Sequence, residues 1–567
     1  MNQRPMTVRT LLMLLLVLAT VSTAQEPEKK EAAKKEVDLQ NVQTPKGDAA
    51  LPKIDLPEFV ITGNETIDLD LRSKAEEDEE RIFTPARPTP GERALSAGEA
   101  LTPKQVKQFT KVPGAMNGRV FAGIGFYGTP QFDGWFGEHD LKSSFVVNGY
   151  YSESAGHLPD AGFWRGGFGA RGSYTLPDST PVVPAAQLTG ELEYGREAYR
   201  AYGSRVPGQV RDLSGLTIGA GIGSRYALPY KSMSGVDYSA RLGWRTFGAA
   251  DSQRSSESEF FLLGSATTKV LETAFRGGVE YRGTGYTMLL PGSQASHWFV
   301  LRGEGRQLLL PTLQVSYAVQ QYLYRGNTGP AAGRFYPTVD VRFALTEQAS
   351  LSAGFTPGVE RNTLQSLFRT NPYIRGSAAV LPTDNRVHLY MGMEFSPMDE
   401  LVLTARGSYS VRHQYATFYD RDSAKVWEVL YLSGVRATKF DLQALYRLNT
   451  KQDVTVYLST QSVQQRDSSH SMPHVPAFNV GAVYHQYFDI GVHAEAFAEY
   501  HSSRYTDFAN THRNAGYVAS GVKATAELFG QFRGIAEINN LFDQRYYRWD
   551  GYRERTIYLL LGISYQW

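Results

Sequence analysis

Cysteine is absent from the 567-residue chain, so disulfide frameworks, thiolate metal sites and cysteine nucleophiles are excluded. An excess of charge is also lacking, because 58 lysines and arginines face 57 aspartates and glutamates. The net charge of +1 removes the global attraction that nucleic-acid binding needs, and we expect no nucleic-acid partner. Charged residues reach only 20%, whereas aromatic residues reach 12% and glycines number 54. This composition fits a large all-β protein, including the barrels of bacterial outer membranes.

Long apolar runs are scarce as well. The longest, at residues 11–21, is about half the length that a membrane-spanning helix requires. It is preceded by Arg4 and Arg9 and followed by small residues up to Ala24. This pattern predicts a secretory signal peptide at residues 1–24, in preference to an uncleaved anchor. Because no second run approaches that length, we expect the chain to cross a membrane only as a closed β-barrel.

Residues 25–116 are rich in charge and proline, with an acidic cluster at 76–80. Such a segment cannot bury enough apolar surface to offset the entropy of ordering, which predicts a disordered periplasmic linker. One apolar island interrupts it at residues 57–63, which are Pro57, Glu58, Phe59, Val60, Ile61, Thr62 and Gly63. This β-prone segment could add a strand to a partner's sheet edge. A chance apolar patch, or a strand that packs on the protein's own barrel, explains the pattern equally well.

From residue 117 to residue 567, apolar side chains alternate with small, polar or charged ones. In the last segment the odd-numbered positions from Ile557 to Trp567 are apolar, whereas Gly562, Ser564 and Gln566 share the opposite face. A soluble sheet with one wet face shows the same alternation, but here it continues for about 450 residues, beyond an ordinary single-core domain. We therefore predict a transmembrane antiparallel β-barrel of about 22 strands, with an apolar exterior in the outer-membrane lipid bilayer and a polar lumen.

The connections between the predicted strands differ in length. Tight turns are predicted near Pro177, Pro397, Asn449 and Phe529, and they alternate with longer polar connections, the longest at about 362–384. Short turns are periplasmic and long loops extracellular in barrels of this kind. An even number of strands then places both ends of the barrel on the periplasmic side, where the linker begins.

Motifs that carry catalysis or bind cofactors are not recognisable, and we expect neither an enzyme nor a cofactor. The stretch from Gly123 to Gly128 satisfies GxGxxG, but it lies in a predicted strand with no helix after it to receive a pyrophosphate. A hydrolase that carries a Ser/His set on its strands or rim is the alternative, because such a set has no characteristic spacing.

Two groups of polar residues have alternative interpretations. A metal-capture rim could be formed by histidines near predicted outer loops, although ordinary polar loop residues are the favoured interpretation. These are His470, His474, His501 and His512, with Asp467 and Asp507 nearby. Charges on the lumen face could select ions or substrate, although cross-lumen pairing and hydration of a polar wall are favoured. These are Arg276, Glu280, Arg282, Arg302, Glu304 and Arg306. We expect no metal site.

The C-terminal region resembles one family of receptors. The motif comprises Asn539, Asn540, Leu541, Phe542, Asp543, Tyr546 and Tyr547. It is similar to the end of TonB-dependent receptors. The terminal residues Ile563, Tyr565 and Trp567 resemble the assembly signal of outer-membrane barrels, which implies the barrel-assembly machinery as a partner. The resemblance also implies that the segment from Glu58 to Gly63 is a TonB box, which engages a TonB-like periplasmic protein.

The chain departs from this family between that segment and the barrel. Family members carry a globular plug there, whereas residues 64–116 of this chain are acidic and proline-rich. Without a plug, the lumen of about 22 strands would be wide. We expect it to be narrowed by the segment 92–116, by the connection 362–384, or by a plug or binding protein supplied in trans.

The sequence thus predicts a TonB-dependent receptor-like outer-membrane barrel for solute uptake, coupled through residues 57–63, with its N-terminus in the periplasm. A passive porin-like channel, or a structural outer-membrane scaffold without energy coupling, is the alternative.

Overall fold

The computed structural model describes residues 117–567 except 141, 178, 181, 182, 184, 206–209, 225–235, 252–253, 271–272, 288–294 and 467. The predicted signal peptide, the predicted linker and the TonB-box-like segment therefore lie outside the described residues. In the described part of the chain, none of the helical residues forms a span long and apolar enough to cross a bilayer.

Antiparallel strands account for most of the described residues. We number the barrel strands β1 to β22, with β13 interrupted once. They are β1 Gly118–Gly125, β2 Thr129–His139, β3 Ser143–Ser154, β4 Phe163–Thr175, β5 Gln187–Arg200, β6 Val210–Gly223, β7 Val236–Ala250, β8 Arg254–Val270, β9 Thr273–Thr287, β10 Ala295–Leu310, β11 Leu313–Arg325, β12 Ala332–Thr346, β13 Ala349–Phe355 with Gly358–Glu360, β14 Thr383–Met398, β15 Leu401–His413, β16 Val435–Asn449, β17 Gln452–Gln465, β18 Phe478–Phe488, β19 Val492–His501, β20 Tyr517–Phe529, β21 Phe532–Asn539 and β22 Tyr558–Gln566.

The sheet closes on itself. Each strand pairs with its neighbours in sequence, and β1 pairs with β22 in a register that runs from Arg119 opposite Gln566 to Gly125 opposite Leu560. Among the described strands, closure removes the two open edges of the sheet, which a spanning sheet cannot tolerate in lipid. The predicted antiparallel barrel of about 22 strands is therefore confirmed.

The alternation along each strand separates an apolar exterior from a polar lumen, because successive side chains of a strand point to opposite faces. In β22, Leu561 and Ile563 are 51% and 52% exposed, whereas Ser564, between the outward Ile563 and Tyr565, is 1% exposed. Leu389 and Met391 of β14 are likewise exposed apolar residues. The outer face that the sequence predicts is the one that the structure presents.

The two ends of the barrel differ. At one end most connections are tight, such as 399–400, 450–451 and 530–531, and we call this the short-turn end. At the other end lie the longest connections, and we call it the long-loop end. One predicted turn was misplaced, because β14 continues to Met398, beyond the turn expected near Pro397. The turn expected near Pro177 lies within the connection after β4, but that connection spans 176–186 and is not tight, because β5 begins only at Gln187.

A short helix and three small hairpins decorate the long-loop end. Helix α1 spans Leu364–Thr370 and is capped at its N-terminus by Thr363. The Thr363 hydroxyl accepts a hydrogen bond from the Ser366 amide, and the Ser366 hydroxyl accepts one from the Thr363 amide. This reciprocal cap satisfies two amides that a helix start otherwise leaves unbonded. The hairpins are Tyr415–Tyr419 with Glu428–Leu432, Arg504–Tyr505 with Arg513–Asn514, and Tyr547–Trp549 with Tyr552–Arg553.

Candidate functional site

Three long connections meet at the long-loop end. Loop A (361–382) joins β13 to β14, loop B (414–434) joins β15 to β16, and loop C (540–557) joins β21 to β22. Loops A and B pair as adjacent extended segments, since the Trp427 amide donates to the Tyr373 carbonyl over 3.0 Å and the Arg375 amide donates to the Trp427 carbonyl over 2.8 Å. Loop C joins them where the Tyr552 hydroxyl donates to the Lys425 carbonyl over 2.9 Å.

The same loops also reach strands on a distant part of the ring. The Pro372 carbonyl in loop A accepts hydrogen bonds from the Tyr199 hydroxyl of β5 and from Arg211 Nη1 of β6, each over 2.6 Å. The Tyr202 hydroxyl, which follows β5, donates to the Arg553 carbonyl of loop C over 2.9 Å. Loops that begin on one side of a closed ring and bond to strands on another must cross its opening. We call loops A, B and C together the cap.

An apolar core holds the cap together. It combines side chains of the cap with the lumen-facing ends of β5, β6, β7 and β9. Its buried members include Tyr199, Leu213, Phe247, Tyr286, Leu364, Leu367, Phe368, Ile374, Val380, Phe418, Trp427, Trp549 and Tyr552. Full burial of a large apolar side chain contributes about 1.5–3 kcal/mol. A core of this size gives the closed mouth a packed interior of its own.

Two buried glutamates of β8 anchor loop A at its start. The Glu257 carboxylate accepts hydrogen bonds from the backbone amides of Leu364, over 2.7 Å, and Gln365, over 3.3 Å, at the first turn of α1. Negative charge is favourable at this end of a helix. The Glu259 carboxylate pairs with Arg361 of loop A and, over 3.1 Å, with Arg282 of β9. The anchor therefore ties loop A to strands far from its own.

An ion pair joins loops B and C. Lys425 forms an ion pair with Asp550 and lies 3.9 Å from Asp420. Burial raises the pKa of the Asp420 carboxyl, and the Lys425 amide and ammonium oppose that shift.

A close backbone contact joins loop C to the segment after β5. A Cβ at Gly203 would lie 2.5 Å from the Gly551 carbonyl oxygen, so this segment approaches loop C as closely as backbones allow. Gly551 itself has φ of +89°, which favours glycine.

The predicted lumen charges line the wall below the cap. They pair mainly with neighbours on the same or the adjacent strand, such as Arg302 with Glu304 over 2.9 Å and Arg276 with Glu304 over 3.7 Å. Arg282 pairs with Glu280 over 2.6 Å. These contacts run along the wall, so the prediction of pairing across the lumen is wrong for these residue pairs, whereas the polar and charge-paired character of the wall agrees with them.

The predicted histidine group is not brought together. The His474 ring packs on Trp549 at 4.5 Å, His501 Nδ1 lies 3.0 Å from the Asn479 amide oxygen, and His512 adjoins Asp507. His470 hydrogen-bonds through its backbone amide to the Ser468 hydroxyl. Among the described residues, no three histidine or acidic side chains are arranged to hold a metal ion; Asp467 lies outside them.

The C-terminal motif shapes the start of loop C. Asn540 and Asp543 adopt positive φ, of 52° and 49°, in a region that Asn and Asp enter more readily than most residues. The Asn540 side chain donates to the carbonyls of Gln544 and Arg555, each over 2.9 Å, and Asp543 accepts the Ile557 amide over 3.0 Å. The motif thus fastens both ends of loop C to each other.

The remaining residues of the C-terminal motif and the three predicted assembly-signal residues lie at opposite ends of the barrel. Leu541 and Phe542 are exposed apolar side chains at the rim, Tyr547 is exposed, and the Tyr546 ring stacks on Tyr517 at 4.0 Å. At the short-turn end, the outward Ile563 and Tyr565 precede Trp567, whose backbone bonds to Gly118 in β1. Their roles in partner binding and assembly remain predictions.

A cavity of about 190 Å³ lies beneath loop C, against the lumen faces of β2 to β5 and β19 to β22. Aromatic residues such as Phe163 and Tyr202 flank it, together with amide, hydroxyl and charged side chains. His157 is among them, and burial lowers the pKa of its imidazole, so it is neutral at pH 7. The sequence did not indicate this cavity, because its lining comes from eight strands and four connections between them.

No family model matches the chain, and no curated protein matches its sequence. Solved structures do match. The ferric-catecholate import receptor Fiu from K12 E. coli aligns with a TM-score of 0.62 and 11% identity, over 80% of this chain and 82% of that one. The FrpB iron transporter from Neisseria meningitidis gives 0.63 and 11%, over 81% and 83%. The copper transporter OprC gives 0.61 and 13%, over 80% and 81%.

These neighbours are TonB-dependent receptors with barrels of 22 strands. At such low identity the likeness concerns the fold. The chain has the barrel fold of TonB-dependent receptors, and the resemblance predicted from the C-terminal motif is confirmed at that level.

Proposed function

We propose that this protein is an outer-membrane receptor that takes up a solute through its lumen, with the cap as the external gate. The observation that carries this proposal is the convergence of loops A, B and C over one opening, on a shared apolar core. A passive channel needs an open mouth, and a scaffold needs no lumen gate. The fold of the neighbouring transport receptors supports the same class of function.

In this proposal the long-loop end faces the outside and the short-turn end faces the periplasm, as in other outer-membrane barrels. The chain enters β1 at the short-turn end, so residues preceding it begin in the periplasm. We assign the segment from Glu58 to Gly63 to strand addition on a TonB-like periplasmic protein. Energy from that partner would open the cap, and the barrel-assembly machinery would insert the barrel.

A cross-link between loops B and C tests the gate. The chain has no cysteine, so Lys425→Cys with Asp550→Cys gives two unique thiols at an existing contact. Joining them with a reducible bifunctional thiol reagent should hold the cap shut and reduce uptake at least tenfold. The readout is growth on a limiting nutrient that a strain lacking the gene cannot use. Adding a reductant should restore growth.

The matched control for this cross-link is Asp420→Cys with Lys425→Cys. Both residues belong to loop B and already lie close together, so the reagent modifies the protein without joining two loops. Uptake should stay at the unmodified level. Full uptake by the cross-linked Lys425/Asp550 variant would refute the gate.

Deletion of residues 57–63 tests the energy coupling. The deletion should abolish pull-down of the TonB-like protein and energy-dependent uptake, because the strand that the partner pairs with is gone. A deletion of equal length at 40–46 in the same predicted linker serves as the control and should leave both unchanged. Uptake that persists without residues 57–63 would exclude the coupling and favour a passive channel.

A further inference from the structure

The cavity beneath loop C is lined by one arginine whose guanidinium has no acceptor. Arg555, near the end of loop C, belongs to the lining and keeps solvent access, since it is only partly buried. Its guanidinium lies over the Phe163 ring at 4.9 Å and the Tyr558 ring at 5.2 Å. Contacts of this kind position a guanidinium but supply no oxygen to its five N–H donors. Among the described residues, the Arg555 side chain forms neither an ion pair nor a hydrogen bond.

The same lining contains a glutamate that has no cation beside it. Glu537 of β21 lines the cavity and is likewise only partly buried. One oxygen of its carboxylate accepts a hydrogen bond from Asn539 Nδ2. Lys523 lies directly opposite on β20, but within the described part of the chain neither Lys523 nor any other cation forms an ion pair with Glu537. The second carboxylate oxygen is therefore available to a donor from a ligand.

The other charged residues of the lining already have contacts within the protein. Arg200 pairs with Asp160, and Arg165, Glu197 and Glu554 also have protein contacts. The cavity therefore offers a ligand one guanidinium and one carboxylate. An anion alone would leave the carboxylate without a cation and would be repelled by it, and a cation alone would leave the guanidinium without an acceptor. A ligand that carries both charges satisfies both groups.

The strand register places the two groups close together on the wall. Glu537 lies opposite Leu560 of β22, so Tyr558, two residues before Leu560, is its diagonal neighbour on the lumen face, about 7–8 Å away. Arg555 lies over that same Tyr558 ring. The guanidinium and the carboxylate thus flank one short stretch of wall without pairing with each other, and a small ligand can contact both.

The size of the cavity and its aromatic residues narrow the ligand class further. The volume of about 190 Å³ equals the share of about six liquid waters, which accommodates an amino acid or a dipeptide and excludes a longer peptide. The half-buried rings of Tyr202 and Tyr373 belong to the lining. Their faces can pack against an apolar side chain of the ligand.

We propose that the cavity binds a small zwitterion, an amino acid or dipeptide with an apolar side chain, whose carboxylate contacts Arg555 and whose ammonium group contacts Glu537. The guanidinium fork matches a carboxylate, and both contacts are charge-assisted hydrogen bonds. This assignment rests on the proposed uptake function, since the ligand must reach a cavity that the cap covers. It is separate in its test, because binding is measured on the purified protein without any transport step.

Calorimetric titration of the detergent-purified full chain provides the test. The probes are L-leucine and glycyl-L-leucine, each compared with its N-acetylated form, which lacks the ammonium group, and its C-amidated form, which lacks the carboxylate. At least one zwitterion should bind with a Kd below about 1 mM, and both of its blocked forms should bind at least about tenfold more weakly. A smaller difference for either blocked form would overturn the proposal. The absence of binding by both zwitterions would also overturn it, and is the result expected if the cavity holds only water.

Two variants connect that binding to the cavity. Arg555→Gln and Glu537→Gln should each weaken the binding of the zwitterion at least about tenfold, the loss expected for a charge-assisted hydrogen bond. Glu537→Gln should also abolish the preference over the N-acetylated form, and Arg555→Gln the preference over the C-amidated form. A merely structural role would weaken all forms alike. Because glutamine still offers an oxygen to Asn539, Glu537→Gln keeps the test valid if Arg555→Gln, which loses its contacts with two rings, folds poorly.

The matched control is Arg545→Gln, because Arg545 is an exposed arginine of loop C that does not belong to the lining of the cavity. Its affinity should equal that of the parent. Unchanged affinity in Arg555→Gln and Glu537→Gln would place the zwitterion elsewhere and overturn the assignment. If no zwitterion binds while the cross-link between loops B and C blocks uptake, the gate stands without this ligand. An ineffective cross-link with normal zwitterion binding would refute the gate alone.

Discussion

Replacing residues 364–380 of loop A with a short glycine–serine linker is expected to turn a barrel that conducts little into one that carries large, steady currents in planar bilayers. Loop A supplies α1, Ile374 and Val380 to the core of the cap and receives the anchors from β6 and β8. Without it, loops B and C lose the surface on which they pack. The lumen of a 22-strand barrel is wide enough for an aqueous path once its mouth is open.

The control for this experiment removes residues 509–513 from the connection between β19 and β20 and keeps Phe508, whose ring lies 5.8 Å from that of Tyr419 in loop B. That connection also lies at the long-loop end, but it contributes no side chain to the core of the cap. Its shortening should leave the conductance at the parent level. If the parent itself conducts large steady currents, the passive channel is the correct interpretation; if the loop A variant stays silent, something other than the cap closes the lumen.

Substitution of Trp427 by alanine is expected to open the cap without unfolding the barrel. Trp427 is 1% exposed, and its ring contacts Trp549 at 5.2 Å and Tyr552 at 5.8 Å. Removing a buried aromatic side chain costs about 3–5 kcal/mol. The cost falls on the packing between loops, since the strands are held by a closed ladder of backbone hydrogen bonds that Trp427 does not join.

Hydrogen–deuterium exchange measures this effect directly. Amides of loops A, B and C should exchange about a hundredfold faster or more in the variant, in keeping with a loss of at least 3 kcal/mol of local stability, while amides of β1 to β22 keep their protection. Trp244→Ala is the matched control, because Trp244 is an outward, lipid-facing residue of β7. It should leave the loops protected. Equal exchange of the loops in the two variants would show that Trp427 does not hold the cap.

The wall of the barrel was predictable because apolar and polar side chains alternate along each strand, which is a short-range sequence pattern. At Leu561, Ile563 and Ser564 the face of each side chain follows from its neighbours two positions away, and a one-residue slip would place Ser564 in lipid. The same rule applied along the chain predicted the closed sheet and its strand number. Turn positions were predicted less accurately, because side-chain alternation does not mark the last residue of a strand. The turn was therefore predicted near Pro397, whereas the structure has it at residues 399–400.

The connection 362–384 was one of three segments or partners predicted to narrow the lumen. It corresponds to loop A, which the structure places across the mouth. The sequence did not indicate how loop A is held there, by packing on loops B and C and by hydrogen bonds to distant strands. Trp427, Trp549 and Tyr552 are aromatic residues in exposed connections, where polar residues are the norm, and their presence is a sequence signal for a packed cap. Their partners, however, are distant along the chain: Pro372 meets Tyr199 and Arg211.

By itself, the sequence determined that this protein is a closed antiparallel barrel with an apolar exterior, because side-chain alternation is local and the chemistry of lipid and water selects its two faces. Only the tertiary structure decided that the mouth is capped and that eight strands line one cavity beneath loop C. Those features depend on which loops and strands come together when the ring closes. Contacts of that kind leave no period in the sequence, since each is set by packing between segments hundreds of residues apart.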